Sequence, residues 1–328
     1  MKKTIKAGVI GVGYLGRFHA QKYAAIDGVE LVGVADIDKN QADLVASECG
    51  CSAFYDHQDL LECVDAVSVA VPTSLHHEVA MACFSKHVDL LLEKPMTVTL
   101  AEADELIAVA AKQDLVFQVG HLERFNPAVV AMKPYLTTPV FIESNRISTF
   151  KRRGVDVDVV LDLMIHDIDI ILTIIDSPLK TIHTVGAPVV TDTTDIANAR
   201  LIFENGATAN ITVSRISLSN VRKMRIFQPG SYINVDFGNK KIMTIQLRDE
   251  LMESGMPKQK IAVESFAGQD ALYDEIAHFI DHVRTRTKPD VSGVEGRNAL
   301  EVVLRVIEQI SEHQRLELYQ QIRSATGK

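Results

Sequence analysis

Apolar residues follow two different rhythms along this chain, and the change falls near Gly120. Up to that point short apolar runs alternate with helical segments. Ile5–Ile10, Glu30–Ala35, Ala53–Tyr55, Ala66–Val71, Val88–Leu92 and Leu115–Gly120 predict strands. RFHAQKYAAI, Lys39–Glu48, His76–His87 and Leu100–Gln113 predict helices between them. Strands apolar on both faces, each followed by a helix, predict an α/β fold with a doubly wound parallel sheet. Beyond Gly120 a helix is predicted after Pro127, with Asn126 as its N-cap. Thereafter alternation at every second residue dominates. Phe141–Phe150, Ala197–Phe203, Thr208–Ile216, Arg222–Phe227, Tyr232–Phe237 and Lys241–Leu247 predict an open, mainly antiparallel sheet built as a meander. Glu204–Ala207, Pro229-Gly230 and Gly238-Asn239 supply its turns. Two amphipathic helices, Ala271–Thr285 and Gly296–Gln314, close the chain. The expected division is an N-terminal domain over 1–122 and a second α/β domain over 123–328.

One segment departs from both rhythms. Val159–Asp176 reads as a helix apolar nearly all round, which predicts burial. Asp162, His166 and Asp169 nevertheless recur at i, i+4 and i+7, on one stripe. Buried ionisable groups are costly unless paired or functional. The stripe is therefore either a salt-bridged core feature or a reactive one, and the segment alone leaves both open.

Ligands of doubly wound sheets sit beyond the carboxyl ends of the strands. The first strand ends in Gly11-Val12-Gly13-Tyr14-Leu15-Gly16 and leads into a helix. In that setting GxGxxG is a dinucleotide fingerprint, with the pyrophosphate at the helix N-terminus. Asp36 ends the second strand, twenty residues beyond Gly16, where the acid that binds the adenosine ribose belongs. Asp36 and Asp38, with no arginine beside them, repel a 2′-phosphate, so NAD is expected over NADP. Pro72, Thr73, Glu93, Lys94 and His121 lie at other strand ends and are expected to line the same crevice. Lys94, at the close of an apolar strand and followed by Pro95, is expected to project towards the cofactor; the alternative is an ordinary surface lysine. His76 and His77 read as surface or helix-capping residues.

With 328 residues, 47% of them hydrophobic and 23% charged, the chain has the composition of a globular protein of two domains. Its formal charge of −9, with no basic tail, argues against a nucleic-acid partner. An anionic substrate then needs a local cationic pocket. Arg124, Asn126, Arg146, Arg153 and their neighbours Lys151 and Arg152 are the candidates, with a solvated loop as the alternative for Lys151–Arg153. Glycines interrupt the apolar start too early for a signal peptide, and no segment is long and charge-free enough to span a bilayer, so a cytoplasmic location is expected. Cys49, Cys51, Cys63 and Cys83 lack metal-ligand spacing, and no metal site is expected.

GVIGVGYLGRFHA, ADID after the second strand, LLLEKPMT around Lys94 and LDLMIHDIDI around Asp162 and His166 together resemble the Gfo/Idh/MocA oxidoreductases across essentially the whole chain. The resemblance implies an N-terminal Rossmann domain that binds NAD. It also implies a C-terminal α/β domain whose open sheet forms a homodimer or homotetramer. Lys94, Asp162 and His166 match the family's catalytic lysine, aspartate and histidine. GHLERFNPAVVAMK and DVDVVLDLMIHDIDIIL are similar to members that oxidise the 3-hydroxyl of UDP-N-acetylglucosamine to a ketone, on the route to amide-linked lipid A. The resemblance extends to dehydrogenases of other nucleotide sugars, uronates and inositols. A non-catalytic NAD-sensing regulator on the same fold is the reading from another class, against which the retention of all three catalytic matches weighs. Oxidation of a secondary alcohol requires a base, for which His166 is expected, oriented by Asp162. Lys94 is then expected to stabilise the developing oxyanion, or to exchange roles with His166. Asp169 is expected to be structural.

Overall fold

The computed structural model describes residues 4–150 and 157–315, which form two compact units. The first comprises Met1–Phe125 with Asp270–Leu300; the second comprises Asn126–Gln269 with Glu301–Lys328. The second unit is interrupted in sequence, because the chain returns to the first over Asp270–Leu300.

In the first unit the strands and helices alternate as β1 (Ile5–Ile10), α1 (Tyr14–Ala25), β2 (Val29–Ala35), α2 (Lys39–Cys49), β3 (Ser52–Phe54), α3 (His57–Leu61), β4 (Ala66–Val69), α4 (His76–Ser85), β5 (Asp89–Glu93), α5 (Leu100–Lys112) and β6 (Phe117–Gly120). All pairings are parallel, in the order β3-β2-β1-β4-β5-β6. The order reverses between β1 and β4, which places the ligand crevice at their carboxyl ends. β4 and β5 are buried at every residue, as strands covered on both faces must be. The first two helices have the expected local determinants. Gly13 begins α1, and Asp38 caps α2 by accepting from the Asn40 and Gln41 amides. The returning helix α8 (Ala271–Thr285) is capped by Asp270. Its Ile276, Phe279 and Ile280 join Val9, Val34 and Leu91 in one core. The periodicity that predicts this helix says nothing about which sheet it covers.

The second unit begins with α6 (Pro127–Met132), capped by Asn126, and β7 (Phe141–Thr149). A wide turn over Val160–Met164 precedes α7 (Ile165–Ile174). β8 (Leu179–Ala187), β9 (Ile196–Phe203), β10 (Thr208–Ser217), β11 (Val221–Gln228), β12 (Ser231–Asp236), β13 (Lys241–Leu251) and β14 (Pro257–Ser265) complete an eight-stranded sheet in the order β14-β13-β12-β11-β7-β10-β9-β8. The sheet is mainly antiparallel, as expected, but it is not a simple meander. β7 inserts between β11 and β10 and pairs in parallel with β10. The edge strands β8 and β14 extend beyond the strands predicted from alternation; β14 is exposed at seven of its nine positions, so it has almost no buried face for alternation to register. Ile211, Val213, Ile226 and Ile233 are fully buried core residues. The opposite face carries a cross-strand row of Phe141, Phe227, Tyr232, Ile245 and Ile261. Phe141 stacks on Phe227, and Phe227 tilts against Tyr232.

Candidate active site

The glycine loop is tightly built. Gly11 adopts φ +81°, and a Cβ there would meet Val71 and the Ala70 backbone at 2.8–2.9 Å. A Cβ on Gly16 would stand 1.9 Å from the Gly11 carbonyl oxygen, so any side chain forces the backbone apart. Gly13 differs: a Cβ there would meet nothing within 4 Å. Open space lies over the N-terminus of α1, whose first turn has neither an acidic residue nor a side-chain cap. The amides of that turn and the positive dipole end are suited to a pyrophosphate, with Tyr14 and Leu15 as its first residues. Tyr14 is 65% exposed and meets Phe18 edge-on.

Asp36 sits beside this loop. Its carboxylate accepts from the Val12 amide (2.9 Å) and the Asp38 amide (2.9 Å). These two bonds fix its orientation and leave acceptor capacity for a diol. The donor set, the open cradle at Gly13 and the anchored acid fit NAD.

Pro72 and Thr73 open a short turn after β4, and His76 follows it. The expectation of a surface histidine is wrong here. His76 is 1% exposed; its Nδ1 lies 2.9 Å from the Pro95 carbonyl oxygen and its Nε2 2.9 Å from the Val71 carbonyl oxygen. The ring thereby bridges the loop after β4 and the turn after β5. Burial pulls its pKa down, while both carbonyls favour the protonated ring. A buried interior position is invisible in sequence because His76 and His77 occupy adjacent helix positions, and only the fold decides which one turns inward.

Glu93 is the last residue of β5 and is buried. Its Oε1 lies 3.1 Å from His19 Nε2, and its Oε2 accepts from the Lys94 amide at 3.2 Å. Gly120 leaves the room for this carboxylate, since a Cβ there would fall 2.8 Å from Glu93 Oε1. Lys94 is half-buried at the crevice end of β5. His121, at the end of β6, is 1% exposed, which does not suit the crevice lining or substrate contact for which it was a candidate. Arg124 is half-buried in the turn Leu122–Phe125 that follows.

The second unit presents Asp162 and His166. Ile165 donates its amide to the Val160 carbonyl, an i→i+5 turn that widens the entry to α7. Such turns add one residue to a helical face and often occur at functional sites. Asp162 is exposed and His166 half-buried, whereas Ile165, Ile168 and Ile171 are fully buried. Asp169 falls on the buried side at 2% exposure, in keeping with a structural role. The three-residue stripe expected of a regular α-helix is thus split after His166.

Two arginines brace this region. Arg146 is 3% exposed and donates through Nε and Nη2 to both carboxylate oxygens of Asp167, at 2.9 and 3.1 Å. This bidentate pair locks β7 to α7, so Arg146 is a support for the helix and not the phosphate ligand expected of it. Arg215 is bonded to Asp195, to Thr191 and Thr193, and to the Val157 carbonyl. Burial works against the Asp195 carboxylate, but hydrogen bonds from the Thr191, Val190 and Val189 amides and from Arg215 outweigh it and hold the carboxyl well below the usual carboxylate range. Neither Asp167, Asp195 nor Arg215 carried a sequence signal, since each is read only through its partner. Asn126 is likewise committed: its Oδ1 caps α6 at Ala128, and its Nδ2 donates to the Phe237 carbonyl. This N-cap role was expected; substrate contact through the same amide is not supported. Lys151, Arg152 and Arg153 lie outside the described residues.

Residues 5–121 match the model of the oxidoreductase family with an NAD-binding Rossmann fold, and residues 141–228 match the GFO/IDH/MocA C-terminal domain. The chain is 40% identical over 303 residues to UDP-N-acetylglucosamine 3-dehydrogenase of Acidithiobacillus ferrooxidans, covering 92% of this chain and 96% of that one. The chain belongs to the Gfo/Idh/MocA oxidoreductase family. A solved structure of that A. ferrooxidans enzyme superposes with a TM-score of 0.87 at 38% identity, covering 93% of this chain and 97% of that one. Myo-inositol 2-dehydrogenase of Thermotoga maritima is 26% identical over 90% of this chain and 93% of its own length. This Gfo/Idh/MocA protein is an NAD-dependent dehydrogenase acting on CH–OH groups. Among the described residues, no helix is long and apolar enough to cross a membrane.

Proposed function

We propose that this dehydrogenase oxidises a secondary hydroxyl of a nucleotide sugar, and that the 3-hydroxyl of UDP-N-acetylglucosamine is its substrate group. The observation that carries this reading is full-length similarity at 40% identity to an enzyme of that name. A 3-keto product would feed an amine-transfer step on the route to amide-linked lipid A. Four free cysteines, none paired in the structure, support a reducing, cytoplasmic setting. The apolar row on the outer face of the eight-stranded sheet supports a homodimer or homotetramer.

In this mechanism Gly11, Gly13 and Gly16 shape the pyrophosphate cradle, and Asp36 holds the ribose hydroxyls. Pro72, Thr73 and Glu93 complete the wall of that crevice. NAD, when bound, accepts the hydride. His166 takes the hydroxyl proton, and Asp162, four residues earlier, orients its imidazole and stabilises the protonated ring. The Lys94 ammonium stabilises negative charge as it develops on the substrate oxygen. Arg124 is the proposed cation for the substrate diphosphate, since Arg146 is consumed by Asp167.

The reading is tested by NADH formation across UDP-sugars, UDP-uronates, free sugars and inositols, with the product ketone located by NMR. Fastest turnover with UDP-N-acetylglucosamine and a ketone at position 3 are expected. Turnover confined to inositols would replace the proposal with a polyol dehydrogenase. Arg124→Ala should raise the substrate KM by about tenfold, the worth of one charge-assisted hydrogen bond, and leave the KM for NAD unchanged. An unaltered substrate KM removes Arg124 from the site.

A further inference from the structure

A carboxylate pair lies buried behind the Lys94 turn. A ring nitrogen of His19 on α1 and carboxylate oxygens of Glu93 on β5 and Glu275 on α8 lie within 4.8 Å of one another. His19 and Glu275 are completely buried. Neither carboxylate oxygen of Glu275 has a hydrogen-bond partner among the described residues, and two ionised carboxylates offer each other acceptors only. Two adjacent carboxylates, both buried, are strongly disfavoured as a pair of anions. The trio of His19, Glu93 and Glu275 relieves that repulsion by taking up a proton or by holding a cation.

We propose that Glu275 is a neutral carboxylic acid that donates its proton into the Glu93–His19 pair, and is thereby a positioning residue for Lys94. The inference rests on the reading of Lys94 as the oxyanion-stabilising group. Glu93 is the link: one of its oxygens meets His19, and the other accepts from the Lys94 backbone amide. A proton on Glu275 leaves a single anion, Glu93, free to hold that amide. A second charge beside it would push the Glu93 carboxylate away and loosen the turn that carries Lys94. Burial and the neighbouring Glu93 charge raise the Glu275 pKa well above the ordinary glutamate value, in accord with the neutral form. The other groups around the cluster are Tyr23 on α1 and Ser68 on β4, bonded to each other at 2.8 Å, and Gln118 on β6, which donates to the Glu275 backbone carbonyl. Burial pushes the Tyr23 hydroxyl up, so that it also stays neutral. A helix that follows Asn126–Gln269 of the second unit in sequence thus contributes to the position of a lysine in the first.

Glutamine imitates a protonated glutamate, with an N–H donor in place of the O–H. Glu275→Ala is expected to lower kcat by about tenfold or more through misplacement of Lys94, with the Kd for NAD little changed. Glu275→Gln should restore kcat to within about twofold of the parent, because it keeps the donor. Infrared difference spectra of the full-length protein should show the carbonyl stretch of a protonated carboxyl that Glu275→Gln removes. Linkage has a definite sign. A raised folded-state pKa stabilises the protein below the ordinary glutamate pKa, and that stability is lost as pH rises towards the folded value. Glu275→Gln should therefore gain stability relative to the parent as pH rises above the ordinary glutamate range. The proposal is overturned if Glu275→Gln is as impaired as Glu275→Ala, if no protonated-carboxyl band is lost, or if the purified protein holds a stoichiometric divalent metal that Glu275→Gln releases. Should Glu275→Ala not fold, the glutamine variant and the infrared band decide alone. Full activity in Lys94→Ala would instead refute the catalytic reading, and the infrared band would still report the proton.

Discussion

Alanine at His166 is expected to reduce turnover at least ~100-fold, and alanine at Lys94 to do the same, with NAD binding retained in both. The two losses have different physical origins. Without His166 the hydroxyl proton has no acceptor of suitable basicity, so the loss should shrink as pH rises and hydroxide competes. Without Lys94 the developing alkoxide loses a fixed cation, and the loss should persist across pH. A double variant should fall well short of the product of the single effects, because base and oxyanion stabiliser act on one transition state. Steady-state kcat across pH, with NAD Kd from fluorescence titration, measures both. Near-normal turnover in both single variants would sink the proposed mechanism.

The second large effect falls on stability. Arg146→Ala is expected to destabilise the second unit by about 3–5 kcal/mol, because it leaves the Asp167 carboxylate buried and unpaired. Each kcal/mol should lower Tm by roughly 2–4 °C in a unit of this size. Arg146→Met with Asp167→Leu should recover much of the loss, since apolar packing can replace a buried pair. Had Arg146 been a phosphate ligand, Arg146→Ala would raise the substrate KM with little change in Tm. Calorimetry and KM measured on the same preparation separate these outcomes.

The contrast between Arg124 and Arg146 shows where reading the sequence stops. One follows a predicted strand and the other lies within one, and both matched the need for a cation against a net charge of −9. Only the fold reveals that Asp167, on the buried side of α7, already occupies Arg146. His76 and Asn126 repeat the point, one buried between two carbonyls and the other committed to a cap and to Phe237. The edge strand β14 escaped for the opposite reason, since an exposed strand leaves no hydrophobic record.

The sequence by itself determined that the first unit is a parallel sheet and picked out the glycine loop, the candidate ribose acid and the catalytic candidates. These are local: each depends on a period, a turn or a strand end within a few residues. Tertiary structure alone decided the return of α8 to the first unit, the insertion of β7 between β11 and β10, and the buried trio of His19, Glu93 and Glu275. Glu93 and Glu275 are 182 residues apart in sequence, and each in isolation is an ordinary glutamate. Asp162 and His166 stand between these extremes. Their spacing marked them, and the wide turn before α7 leaves them on the unburied side of a helix whose remaining faces are core. Charge state and burial are properties of neighbours, and neighbours are what the folded chain supplies.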